Sequence, residues 1–126
     1  MAHAHKHVLP GLYPQYTVIA EKFEAIVSLG MANSRMKDYF DLWVLLRNAD
    51  LEPSILEQAV QATLVRRGAA MPTGIPVGLS DQFASDKSRV ALWDAFVGRN
   101  KLNADSLVNT VVYLREQFLF AFVEAA

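Results

Sequence analysis

The segment Ser34-Arg35-Met36-Lys37-Asp38-Tyr39-Phe40-Asp41 sets two cations and two carboxylates into the opening turns of an otherwise apolar helix. At about 100° per residue, Arg35, Lys37, Asp38 and Asp41 share one arc of roughly 160° that also holds Leu42 and Leu45. The charges therefore stand where core would otherwise be, and leaving any of them buried without a partner is expensive. Two readings follow. In the first, the cluster is a self-satisfied network, with Lys37 on Asp41 at i, i+4 and Arg35 on Asp38 at i, i+3. In the second, it is one wall of a polar site whose cations bind phosphate and whose carboxylates activate a hydroxyl or hold a metal. Lys22 joins either reading. It sits at the edge of the apolar stripe of the preceding helix, where a long side chain reaches past the core. Asp41 lies further into the apolar run Tyr39–Leu46 than Asp38, so Asp41→Ala is expected to cost more stability than Asp38→Ala.

The elements that must position these groups are helical. Tyr16, Ile19, Ala20, Phe23, Ile26 and Val27 recur at i, i+3, i+4, i+7 and predict a helix from Pro14 to Leu29, stopped by Gly30. A second helix is expected over 35–47, capped by Asn33 or Ser34 and buried by neighbours on every side. A third is expected over 53–67, with Pro53 in its first turn, Gly68 beyond its end, and Arg66 and Arg67 complementing its dipole. Three glycines and two prolines then interrupt residues 68–80, a long loop that is either functional or an edge-wrapping connection. Helices over 86–97 and 104–123 complete the chain, and Ile75-Pro76-Val77 is broken as a strand by its proline. The fold class is all-α, a compact bundle of about five helices with one long Pro/Gly-rich loop. Residues 1–13 are read as a flexible leader and 14–126 as one helical domain. His3, His5 and His7 are taken as part of that leader rather than as a metal site, because nothing fixed stands around them.

Composition narrows the function without naming it. The chain has 126 residues, 12 Lys+Arg against 13 Asp+Glu and no cysteine. One core fits this length, disulfide scaffolds and thiolate zinc sites are excluded, and binding nucleic acid by bulk charge is disfavoured. The basic residues do not alternate with aromatic ones along the sequence, so a stacking surface for RNA finds little support there. All three histidines lie in the leader and no Ser-His pair is in view, which argues against stand-alone hydrolase chemistry. No apolar run reaches the ~20 residues of a membrane helix and no signal peptide opens the chain, so a cytoplasmic protein is expected.

Glu21-Lys22-Phe23-Glu24-Ala25 followed by Arg35-Met36-Lys37-Asp38-Tyr39-Phe40-Asp41 resembles the downstream half of the AbiEii-type nucleotidyltransferase toxins of bacterial abortive-infection toxin–antitoxin systems. In that family a helix reading Glu-Lys-x-x-Ala precedes an Arg-x-Lys-Asp-x-x-Asp motif. The resemblance implies nucleotidyl transfer from a nucleoside triphosphate. It implies Lys22, Arg35 and Lys37 as nucleotide-binding residues, and Asp38 and Asp41 as catalytic ones, Asp38 as a base or polar group. It also implies magnesium and a nucleoside triphosphate as cofactors of a complete enzyme. The family's Gly-Ser turn and Asp-x-Asp pair, which hold phosphates and magnesium, occur nowhere in this sequence. The expectation is therefore a truncated or split carboxy-terminal part that binds no cofactor and does not catalyse transfer by itself. Its expected partners are the missing amino-terminal half or a cognate antitoxin, and self-association through uncovered apolar surface is expected as well. A non-catalytic helical module that docks on a toxin or its partner explains the missing motifs equally well.

Overall fold

A computed structural model describes residues 14–122. The leader and its three histidines lie outside the described residues, as do the last four positions of the chain. Six α-helices run through the described part in the order α1 Pro14–Leu29, α2 Met36–Asn48, α3 Pro53–Arg66, α4 Asp81–Ser85, α5 Lys87–Arg99 and α6 Leu107–Gln117. Single 3-10 turns sit at Gly30–Ala32, Val77–Leu79 and Leu119–Ala121, and there is no strand among the described residues. The all-α expectation holds.

Helix α1 is the axis of the bundle. Its stripe of Tyr16, Ile19, Ala20, Phe23 and Ile26 is buried, and it packs mainly on α3, then on α2 and on the Val77–Leu79 turn. Phe23 stacks on Phe118 with ring centroids 4.4 Å apart, which ties α1 to the end of α6. The hydroxyl of Tyr16, at the start of α1, accepts from the backbone N–H of Glu52 at 2.8 Å and fixes the entry to α3.

Several boundaries differ from the sequence reading, each for a local reason. Residues 68–80 are not one open loop. Pro76, Gly78 and Leu79 are buried and the turn at Val77–Leu79 packs on α1, α4 and α6, so the end of this stretch wraps onto the core, in line with the edge-wrapping alternative, while Gly68, Ala70 and residues 73–75 stay exposed. Ser80 then starts the short α4, its hydroxyl accepting from Phe83 N–H at 3.1 Å. The closing helix begins later and ends earlier than expected: Ser106 caps its start and Gln117 is its last residue. Neither Asn33 nor Ser34 caps α2. Arg35 holds that position, while the Asn33 carboxamide accepts from Arg35 N–H at 2.7 Å in the preceding turn. Nor is α2 enclosed on all sides, since Phe40 and residues 43–46 are only partly buried.

Helices α3 and α5 end with the same hydrogen-bond pattern and different residues. At α3, Ala69 N–H reaches Leu64 O and Gly68 N–H reaches Val65 O, with Gly68 at φ +67°. At α5, Leu102 N–H reaches Val97 O and Lys101 N–H reaches Gly98 O, and the left-handed position at φ +53° is filled by Lys101. A side chain there carries strain that glycine lacks, partly offset by the greater unfolded-state freedom of glycine. Lys101→Gly is expected to raise stability by about 0.5–1 kcal/mol. Thermal melts giving an unchanged or lower midpoint would contradict this.

Candidate functional site

The charge cluster forms where the first two turns of α2 cross the middle of α1. Asp38 lies on the inner face of α2 beside Tyr39 and Leu42, and Lys22 lies on the flank of α1 that meets it. The Lys22 ammonium sits between two carboxylates, 3.1 Å from Asp38 Oδ1 and 3.2 Å from Asp41 Oδ2. Lys37 Nζ reaches the same Asp41 oxygen at 2.6 Å, and Arg35 Nε stands 3.0 Å from Asp38 Oδ2. The i, i+4 and i, i+3 pairs expected from spacing are therefore both present, with Lys22 joining them across the helices.

Depth within the cluster runs opposite to the sequence expectation. The Asp38 side chain is 5% exposed and that of Asp41 24%, so Asp38 is the buried carboxylate. Its Oδ2 is close to Arg35 but receives no well-directed hydrogen bond, which leaves an acceptor free inside the protein. Arg35 and Lys37 stay mostly in solvent, at 60% and 73% exposure.

Burial alone pulls the Lys22 ammonium toward deprotonation. Its hydrogen bonds to Asp38 and Asp41, and then their charges, more than offset this and leave its pKa above the ordinary lysine value. Tyr39, one turn from the cluster, donates its hydroxyl to Gly78 O at 2.7 Å; burial raises its pKa strongly against the smaller opposing effects of Asn33 and Arg89. Burial also raises Tyr113, against a smaller opposing effect of Arg47. In each case the folded chain keeps a proton that the unfolded chain releases. Their contribution is thus complete below about pH 10 and is lost as pH rises through the folded values. Melting temperature should fall from pH 9 to pH 11, and Tyr39→Phe should flatten that fall. A profile equally steep in wild type and variant would remove Tyr39 from the account.

Two clefts flank the cluster and share Arg35 and Asp38 as their common wall. One, of about 300 Å³, opens on the α1 side along Thr17, Glu21, Lys22 and Arg67. The other, of about 340 Å³, opens toward α5 between Lys37, Leu92, Phe96 and Arg99. Helix propensity and local spacing give no sign of Arg67, Phe96 or Arg99 in this setting, because only the packing of α3 and α5 brings them here. Arg66 and Arg67 do more than complement a dipole: both pair with Glu21, and Arg67 Nη1 lies 3.8 Å from Glu24.

The cluster does not fit a magnesium ion. The position between Asp38 and Asp41 where a divalent cation would bridge them is taken by the Lys22 ammonium, and no group of three or more His, Cys, Asp or Glu among the described residues could hold a metal. The arrangement is instead an ion-pair network in which Lys22, Arg35 and Lys37 meet Asp38 and Asp41, and the α1 cleft beside it sets Lys22, Arg35 and Arg67 against Glu21, Glu24 and Asp38; a phosphate there would have to compete with these carboxylates for the cations.

The order of these residues along the chain, now joined in space, agrees with a match that covers most of the sequence. Residues 10–118 match the family described as nucleotidyl transferase AbiEii toxin, type IV toxin–antitoxin system. The chain belongs to the AbiEii family. No curated protein and no solved structure matches it. Membership makes it nucleotidyltransferase-like and implies an antitoxin as a partner. Among the described residues of this AbiEii chain, no helix is long and apolar enough to cross a membrane.

Proposed function

We propose that this chain is the helical part of an AbiEii nucleotidyltransferase toxin and contributes one wall of its nucleotide site. The observation that carries the reading is the Lys22 ammonium held between Asp38 and Asp41 at the edge of a cleft also lined by Arg35. Lys22 and Arg35 bind the triphosphate there, and Lys37 adds positive potential from the exposed end of the cluster. Asp41 is a positioning residue that keeps both lysines in place. Asp38 lines both clefts, and its buried Oδ2 stands in an ion pair with Arg35 without accepting a well-directed hydrogen bond; in this reading it accepts one from an attacking hydroxyl once Arg35 turns to the triphosphate.

The Gly-Ser turn and the paired carboxylates that hold magnesium in this chemistry are absent from the sequence, so in this reading a further segment or a second chain supplies them. That partner, or the antitoxin, would also cover apolar side chains such as Val18, which is 43% exposed and lines the α1 cleft. A regulatory docking module is the competing reading, favoured by the fact that the charges already satisfy one another within the chain.

Calorimetric titration with a magnesium nucleoside triphosphate separates the two. The chain is titrated alone and mixed with the amino-terminal part of an AbiEii relative, as wild type and as Lys22→Gln. Binding in the mixture that weakens at least tenfold in Lys22→Gln, with the melting point of the variant checked, is the expected result. Absence of binding in both arms would leave the cluster as a structural network and favour the docking module.

A further inference from the structure

The α5 cleft stands apart from the chemistry assigned so far. Its apolar lining is Met36, Leu92 and Phe96, of which Met36 is buried and Leu92 exposed, and Arg35, Lys37 and Arg99 line it as well. Three cations thus face a single carboxylate, Asp38, which Lys22 already neutralises from the other side. Among the described residues Arg99 has no ion-pair partner, Arg35 engages Asp38 through Nε alone, and Lys37, though mostly in water, is paired with Asp41 at 2.6 Å. The cleft therefore has one unpaired cation, Arg99, and the free guanidinium edge of Arg35 beside an aromatic ring.

Phe96 is a fixed surface. It meets Phe40 edge-on with centroids 6.1 Å apart and lies against Trp93 at the same distance, and Trp93 is itself anchored by Nε1 donating to Asp105 O at 3.0 Å. Beside it Leu92 is 41% exposed, an uncovered apolar side chain at the mouth of a charged cleft. A volume of about 340 Å³ lies within the range of small-molecule sites. An inorganic anion would use the cations and leave the apolar lining idle; an apolar ligand would do the reverse. A planar base carrying a phosphate uses both.

We propose that the α2–α5 cleft is a second nucleotide subsite, in which Phe96 and Leu92 receive the base and Arg35, Lys37 and Arg99 the phosphate. Its role rests on the reading of the α1 cleft as the triphosphate site: the two clefts meet at Asp38, so a nucleotide seated on Phe96 would present its hydroxyl toward the carboxylate that borders both. Stacking is tolerant of base identity, so the subsite binds by ring and charge rather than by base-edge readout. The occupant is a nucleotide unit, either free or at the end of a single strand.

The test is a titration of the full chain, labelled with 15N and with 13C at methyl groups, followed by NMR. Four probes are used: a nucleoside monophosphate, a single-stranded trinucleotide, inorganic phosphate and a magnesium nucleoside triphosphate. The monophosphate and the trinucleotide should shift the Leu92 methyls and the Phe96 amide, and Phe96→Ala should weaken both about tenfold while leaving inorganic phosphate unchanged. Arg99→Gln, on an exposed side chain, should weaken all phosphate-bearing probes and keeps the test open if Phe96→Ala disturbs packing. A trinucleotide that binds at least tenfold tighter than the monophosphate identifies a strand end as the occupant; equal affinities identify a free nucleotide. Inorganic phosphate that matches the nucleotides, or a Phe96→Ala variant that binds them normally, overturns the subsite. Shifts confined to Thr17, Val18 and Ala25 overturn it while sparing the α1 reading. Shifts at Leu92 and Phe96 without any at the α1 cleft, even from the triphosphate, do the opposite. No shift from any probe also overturns it.

Discussion

Gly78→Ala should destabilise the protein by about 3–5 kcal/mol, the largest loss expected of an alanine at any of its described glycines. A Cβ at this position would lie 2.7 Å from Ile26 O and 2.8 Å from Ile26 Cγ2, both in the last turn of α1, and 3.0 Å from the Tyr39 hydroxyl. None of these can withdraw cheaply. The carbonyl belongs to the helix ladder, Ile26 is fully buried, and the Tyr39 hydroxyl is held by its bond to Gly78 O. Overpacking costs about 1–3 kcal/mol and displacing the Tyr39 bond strands a buried donor and acceptor for a similar amount. For a chain of this length the loss corresponds to a fall in melting temperature on the order of 15 °C. Gly74→Ala, where nothing lies within 4 Å of the added carbon, is the control. Similar melting points for the two variants would mean that the Val77–Leu79 turn is not packed as described.

The role of Gly78 could not be read from the sequence, and the reason is general. Local pattern located α1 to the residue and α3 to within one, because an amphipathic stripe with proline at its start and glycine past its end reflects interactions within a few turns. Residues 68–80 have no period to read. Their three glycines and two prolines look like a surface loop, yet Leu79 is fully buried and its carbonyl accepts from Arg115, 36 residues away. Such bonds between distant parts of the chain leave no mark in local spacing. The cluster follows the same division. Its pairs within α2 were legible from i, i+3 and i, i+4 spacing, and Lys22 from its place at the edge of a stripe. Arg67, Phe96 and Arg99 were not, since three helices must fold before they meet Asp38. For the same reason aromatic and basic residues that are separated along the sequence line one cleft in space.

One feature of the cluster was legible and was misread. Position along an apolar run suggests that Asp41 is the deeper carboxylate, but depth on a helix is angular. At 100° per residue Asp38 stands about 40° from the fully buried Leu42 and Asp41 about 100° away, toward the exposed Lys37. Asp38→Ala is accordingly expected to cost about 2–3 kcal/mol and Asp41→Ala about 1 kcal/mol. The larger loss comes less from the bonds that vanish than from what they leave behind. Without Asp38, the Lys22 ammonium stays largely out of water and shares its remaining carboxylate, Asp41, with Lys37. If that is the mechanism, Lys22→Met combined with Asp38→Leu should be less destabilised than Asp38→Ala alone, because no charge is then left buried without its partner. Urea denaturation of the three variants measures this directly. A double variant destabilised as much as Asp38→Ala or more would show that the cost lies in packing, and equal losses for Asp38→Ala and Asp41→Ala would return the two carboxylates to the same depth. The comparison also bears on function. A double variant that stays close to wild type in stability would mean that the pair contributes little to the fold, and in the proposed nucleotide-site reading a phosphate reaching the Lys22 ammonium is the interaction that Lys22→Met with Asp38→Leu should lose completely.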